Sequence, residues 1–132
     1  MNYFLDTNVC IGILRNKNPE LSLKFFCQAQ ESIKISAVVA GELFHGANKS
    51  SQREKNLNQV KEFLSSFEIV PFDFSAALIY GKIKARLEKT GNIIGSNDLL
   101  IASSVLSEKG ILVTNNTREF SRIDGLLLED WL

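Results

Sequence analysis

The chain has 132 residues, 45% of them apolar and 23% charged, the balance of one globular domain spanning 1–132 rather than of a disordered or fibrous chain. Fifteen basic and fifteen acidic residues cancel, so no overall field marks a binder of polyanions, and direct DNA binding by this chain alone is not expected. The opening MNYFLDTNVCIGIL carries no basic leader, and no apolar run reaches the roughly 18 residues of a membrane span, which implies a cytoplasmic protein without a membrane partner.

Taken in chain order, YFL (3–5) reads as a short buried strand. The Asp6, Thr7 and Asn8 cluster behind it is helix-capping chemistry, so a helix follows. Pro19 and Glu20 open a second helix through LSLKFFCQAQ. IKIS (33–36) is a second strand and AVVAGELFHGA (37–47) a helix of small and apolar residues. Residues 52–66 form an amphipathic helix with Leu57, Val60 and Leu64 inward, and FEIV (67–70) is a third strand. Ser75 is expected to cap a long helix that buries Ala76, Ile79, Tyr80, Ile83 and Leu87 and turns Lys82, Arg86 and Lys89 to another face. After Gly91 a helix runs over about 97–109 and stops at Gly110; ILVT is a fourth strand and LLLE (126–129) closes the sheet. Short strands alternating with helices predict an α/β fold, a mostly parallel sheet with helices on both faces and a ligand crevice beyond the strand carboxyl ends. Cys10 and Cys27 lack disulfide or zinc spacing and are expected as reduced core thiols.

Three acids stand alone. Asp6 is the single charge from Met1 to Leu14, Glu42 the single formal charge from Ile35 to Asn48, and Asp98 the single charge from Gly91 to Ser107. An ionised carboxylate in apolar surroundings is costly without a partner, and none of the three has a basic neighbour in its own segment. Individually, Asp6 and Asp98 could be helix caps and Glu42 a solvated position. Together they fit a shared site. Converging carboxylates repel unless a cation neutralises them, and an all-oxygen donor set selects Mg²⁺ or Mn²⁺ over zinc or copper. Thr7, Asn8, Thr114 and Asn116 follow strands one and four and are candidates to orient the acids or bind water. Arg86 and Lys82, basic residues of one helix, are candidate contacts for a phosphate group. A single His45 gives no histidine pair for metal-free cleavage, and its expected place is the surface or an interface.

FLDTN (4–8), GEL (41–43), GSNDLLIAS (95–103) and VTNNTREF (113–120) occur in that order, with a closing GLLLEDW. As a set they resemble the PIN-domain ribonucleases of the VapC toxin type, along nearly the whole chain. The resemblance implies a three-layer α/β/α PIN-like fold and assigns Asp6, Glu42 and Asp98 as Mg²⁺ or Mn²⁺ ligands. A fourth acid often follows the fourth strand in that family. Here the residue two after Thr114 is Asn116 and the nearest acid is Glu119, which leaves either to complete the catalytic set. The resemblance further implies an endoribonuclease toxin acting on structured RNA such as tRNA by metal-activated water, leaving 5′-phosphate and 3′-hydroxyl ends. It also implies a homodimer neutralised by a cognate antitoxin protein, and the apolar excess around Leu43, Phe44, Phe25 and Phe26 offers surfaces for both. The rival readings are a nuclease of the same fold in RNA processing or on structured DNA, and a Mg²⁺-binding receiver-like module.

Overall fold

Strands of only three or four residues form the sheet, so each element around it must be placed by caps and packing rather than by long ladders. The computed structural model describes all 132 residues. The order is β1 (Tyr3–Leu5), α1 (Thr7–Arg15), α2 (Pro19–Phe26), β2 (Ile33–Ser36), α3 (Ala37–Asn48), α4 (Arg53–Leu64), β3 (Glu68–Val70), α5 (Phe74–Thr90), α6 (Ser96–Ser107), β4 (Ile111–Val113), α7 (Thr117–Phe120) and β5 (Leu127–Glu129).

All five strands are parallel, in the order β3-β2-β1-β4-β5. Burial follows position. β4 is buried throughout, whereas the edge strands β3 and β5 are partly exposed, and β3 is tied to β2 by a Lys34–Glu68 ion pair of 2.8 Å. The chain winds outward from β1 to β3 and then returns to β4 on the other side of β1. That reversal leaves a crevice between the carboxyl ends of β1 and β4, the usual ligand position in such sheets. Beneath it Phe4, Leu5, Leu112 and Val113 join Val9, Val39, Ile101 and Phe120 in one core.

Four local expectations are corrected. Asp73, not Ser75, caps α5: its Oδ1 accepts from the Ala76 N–H at 3.0 Å, and the helix begins at Phe74. Gly110 does not terminate α6 through an unusual backbone. The left-handed residue is Lys109 (φ 55°), and Gly110 is required because a Cβ there would lie 2.7 Å from the Phe4 ring. Cys27 is exposed as the C-cap of α2, and only Cys10 is a core thiol. Leu43 belongs to the core, so of the proposed apolar surface residues only Phe25, Phe26 and Phe44 reach solvent to any degree.

Candidate active site

Asp6 leaves β1 in extended geometry (ψ 161°), and its backbone N–H donates to the Val113 carbonyl at 2.9 Å, continuing the β1–β4 pairing by one step. This pins the buried carboxylate in the crevice, where both its oxygens are engaged. Oδ1 accepts from the Thr7 N–H at 2.9 Å and Oδ2 from the Thr114 hydroxyl at 2.7 Å. Asp6 is therefore the cap of α1 and a member of the crevice at once. Burial raises its pKa, the Thr114 and Thr7 bonds pull it down, and the charges of Glu42 and Glu119 raise it again.

Glu42 comes from the second turn of α3, whose start is fixed by Ser36 accepting from the Val39 N–H at 3.2 Å. The Thr7 hydroxyl donates to one of its oxygens and the Asn97 amide to the other at 3.3 Å, so Glu42 is held between α1 and α6. Asp98 stands three residues after the α6 cap, Gly95, and is not itself the cap. Half-buried, it accepts from no amide N–H or hydroxyl of the protein and instead shares a hydrogen bond with the Glu119 carboxyl. Burial first, then Glu119 beside it, then the charges of Asp6 and Glu42 push it up to about 7. Glu119, on α7, accepts from the Gly95 N–H at 2.8 Å and from the Asn116 side chain at 3.3 Å. The Gly95 bond is the main reason its pKa is lowered, with Asn116, Asp98 and Arg122 adding to it.

The four acids thus share one electrostatic neighbourhood, with Arg122 as a basic group acting on Glu119. No three of them close into a finished cation cage. Mg²⁺ does not ask for one, because it keeps several of its waters and is held by one or two carboxylates. The donor set is all oxygen, the chemistry such an ion takes, and Asp6, Glu42 and Asp98 are the carboxylates that would hold it, with protein hydrogen bonds orienting Asp6 and Glu42.

Thr114 and Asn116 lie inside the cluster; the Asn116 N–H also donates to Thr114 Oγ1 at 3.0 Å. Asn8 is exposed and makes no side-chain bond, so it stands outside. Lys82 and Arg86 are exposed on α5 and touch none of the acids; Arg86 pairs with Asp124 at 3.3 Å. His45 is on the surface. Three residues were not anticipated: Asn97 on Glu42, Gly95 under Glu119, and Arg122, which donates to the Ile93 carbonyl at 2.9 Å. Adjacency to Asp98 and the three-residue step from Glu119 to Arg122 were the available signals. Asp73, the nearest acid after β3, caps α5 and leaves no phosphoacceptor there, against a receiver-like module.

A cavity of about 630 Å³ lies elsewhere, between α1, α2 and α4, lined by Ile13, Leu14, Phe25, Phe26, Phe63 and Phe67 and containing no member of the acid cluster. It is an apolar groove, and the chemistry lies in the shallower polar crevice.

Known proteins are similar to this chain along its length. The PIN domain family matches residues 3–126. Ribonuclease VapC2 of Rickettsia felis is 42% identical over 134 residues, covering 99% of this chain and 98% of its own. The tRNA(fMet)-specific endonuclease VapC of Shigella flexneri is 40% identical over 131 residues, with the same coverage. Among solved structures, VapBC2 from Rickettsia felis bound to a promoter DNA fragment superposes with a TM-score of 0.93 at 40% identity over all of both chains. DNA-bound VapBC from Salmonella typhimurium gives 0.94 at 38% identity, covering 100% of this chain and 99% of that one. The chain belongs to the PIN-domain family, in its VapC ribonuclease branch.

Proposed function

We propose that the protein is a Mg²⁺- or Mn²⁺-dependent endoribonuclease, the toxin of a toxin–antitoxin pair, and that it cuts structured RNA of the tRNA class. The observation that carries this reading is Asp98, a half-buried acid crowded by Glu119, Asp6 and Glu42. A divalent ion, when bound, supplies an activated water and offsets charge building on the phosphate. Asp98 is held beside Glu119; Asp6 is kept in register by Thr114 and Thr7; Glu42 is steadied by Thr7 and Asn97. Water oxygen adds to phosphorus and the P–O3′ bond breaks, leaving 5′-phosphate and 3′-hydroxyl ends. Lys82 and Arg86 are offered as contacts for RNA backbone remote from the cut.

The tRNA class is supported by the Shigella relative, a tRNA(fMet)-specific endonuclease, and an antitoxin partner by the VapBC complexes. The groove around Phe25, Phe26 and Phe63 suits an apolar antitoxin segment, since exposed aromatic grooves mark protein interfaces. DNA contact in such a complex then falls to the antitoxin. A homodimer and a cytoplasmic location complete the reading; no helix is long and apolar enough to cross a membrane.

The test is incubation of purified protein with bulk tRNA in Mg²⁺, Mn²⁺ or EDTA, with 5′ ends sequenced. Cleavage in either metal that stops in EDTA is expected. Full cleavage in EDTA overturns the mechanism.

A further inference from the structure

The start of α6 presents an unusual choice of partners. Its cap, Gly95, has no side chain, and Asp98 occupies the third helical position. An acid at that position commonly reaches back to the N–H of the cap residue and satisfies it, the second half of a capping box. Here that N–H is already taken. Glu119 Oε1, from α7, accepts it at 2.8 Å, while Glu119 Oε2 accepts from Asn116. Asp98 is within reach of the same spot: a Cβ placed on Gly95 would lie 3.6 Å from Glu119 Oε1 and 3.7 Å from Asp98 Oδ2. Two carboxylates therefore border one amide, and one of them holds it.

We propose that Glu119 is a positioning residue, not a cation ligand: it occupies the Gly95 amide in place of Asp98 and, hydrogen-bonded to the Asp98 carboxyl, keeps that carboxyl turned off the amide. This rests on the cation-dependent reading above. The surroundings are built for the task. Arg122, one turn beyond Glu119, donates to the Ile93 carbonyl at 2.9 Å, so α7 grips both a donor and an acceptor of the loop entering α6. Asn116 anchors the other end. Its side chain donates to Glu119 and its backbone N–H to Thr114 Oγ1, which donates in turn to Asp6. A continuous run of hydrogen bonds joins Asp6 to the Gly95 amide through Thr114, Asn116 and Glu119. It also gives a reason for an amide at Asn116. An aspartate there would have no N–H for Glu119 and would add a charge against it.

Glu119→Gln keeps an oxygen acceptor for the Gly95 N–H and loses the charge; Glu119→Ala loses both. For full-length protein, Mg²⁺ affinity is measured by calorimetry without RNA, and the Asp98 side chain is located in crystals of each metal-free variant. The glutamine variant should bind Mg²⁺ within about threefold of wild type, and the alanine variant about tenfold or more weakly, the usual effect of losing a ligand-orienting group. In the alanine crystals Asp98 should be turned onto the Gly95 amide. Equal losses in both variants with Asp98 unmoved would make Glu119 a ligand and overturn the proposal, as would undiminished affinity in the alanine variant. If wild type neither binds Mg²⁺ nor cuts RNA, the cation-dependent function fails, and the position of Asp98 in the alanine variant still decides who holds the amide.

Discussion

The Thr114 hydroxyl donates to Asp6 Oδ2 at 2.7 Å, joining residues 108 apart in sequence inside a fully buried corner of the crevice. Thr114 is a hinge point of the site, because its oxygen also accepts from the Asn116 N–H.

Thr114→Val keeps the shape and removes the hydroxyl. Asp6 loses a charge-assisted bond and the Asn116 N–H loses its acceptor, which should destabilise the fold by about 1–3 kcal/mol. Thr114→Ser should recover most of that. Urea titration of the three proteins measures it, and a valine variant as stable as wild type would mean the bond adds nothing.

Asp6→Asn separates cap from charge. The asparagine oxygen still accepts from the Thr7 N–H, and the Thr114 oxygen can accept from the new amide. Without metal the variant should be at least as stable as wild type, because like charges several ångströms apart store on the order of 1 kcal/mol or more per pair. At Mg²⁺ a hundredfold above Kd, wild type should gain about 2.7 kcal/mol and the variant clearly less. Thermal melts of both proteins with and without Mg²⁺ report all four values. A variant weakened in EDTA that gains as much from Mg²⁺ as wild type would show Asp6 to be a cap alone.

Metal-free stability should fall from pH 5 to pH 8. The folded pKa of Asp98, about 7, lies above the ordinary carboxylate range, so its contribution is whole where both states are protonated and is lost as pH rises through 7. Asp6, also raised, acts in the same sense. Glu119, lowered, acts in the opposite sense but only in more acid solution. Melting temperatures in EDTA buffers should decline across this window, more shallowly in Asp98→Asn. A wild-type profile rising toward pH 8 would contradict the crowded cluster.

Strand positions were readable to within a residue because the apolar runs YFL, IKIS and ILV are short, bounded and backed by polar clusters. The fold class followed from their alternation with helices. Endings were harder. Asp73 and Ser75 are both good caps, and only the packing of Ala76 decides between them. Gly110 looked like a helix stop, yet its small size answers to Phe4, a neighbour more than a hundred residues earlier in the chain. Isolated charge singled out Asp6, Glu42 and Asp98, since a lone acid in an apolar segment is conspicuous without any structure. Asn97, Gly95 and Arg122 were silent because each acts through a backbone group or a carboxylate on another element, a pairing that exists only once α6 and α7 have met.

β1 is central to the sheet but first in the chain. As it leaves the ribosome it can pair with β2 early, whereas its other edge must wait for Ile111–Val113. Thr114 and Glu119 follow later still. A chain that has not yet reached these residues therefore carries Asp6 with neither its hydroxyl partner nor the α7 contacts around Asp98. The acid cluster is a property of the closed sheet, and no short segment of the chain carries it alone.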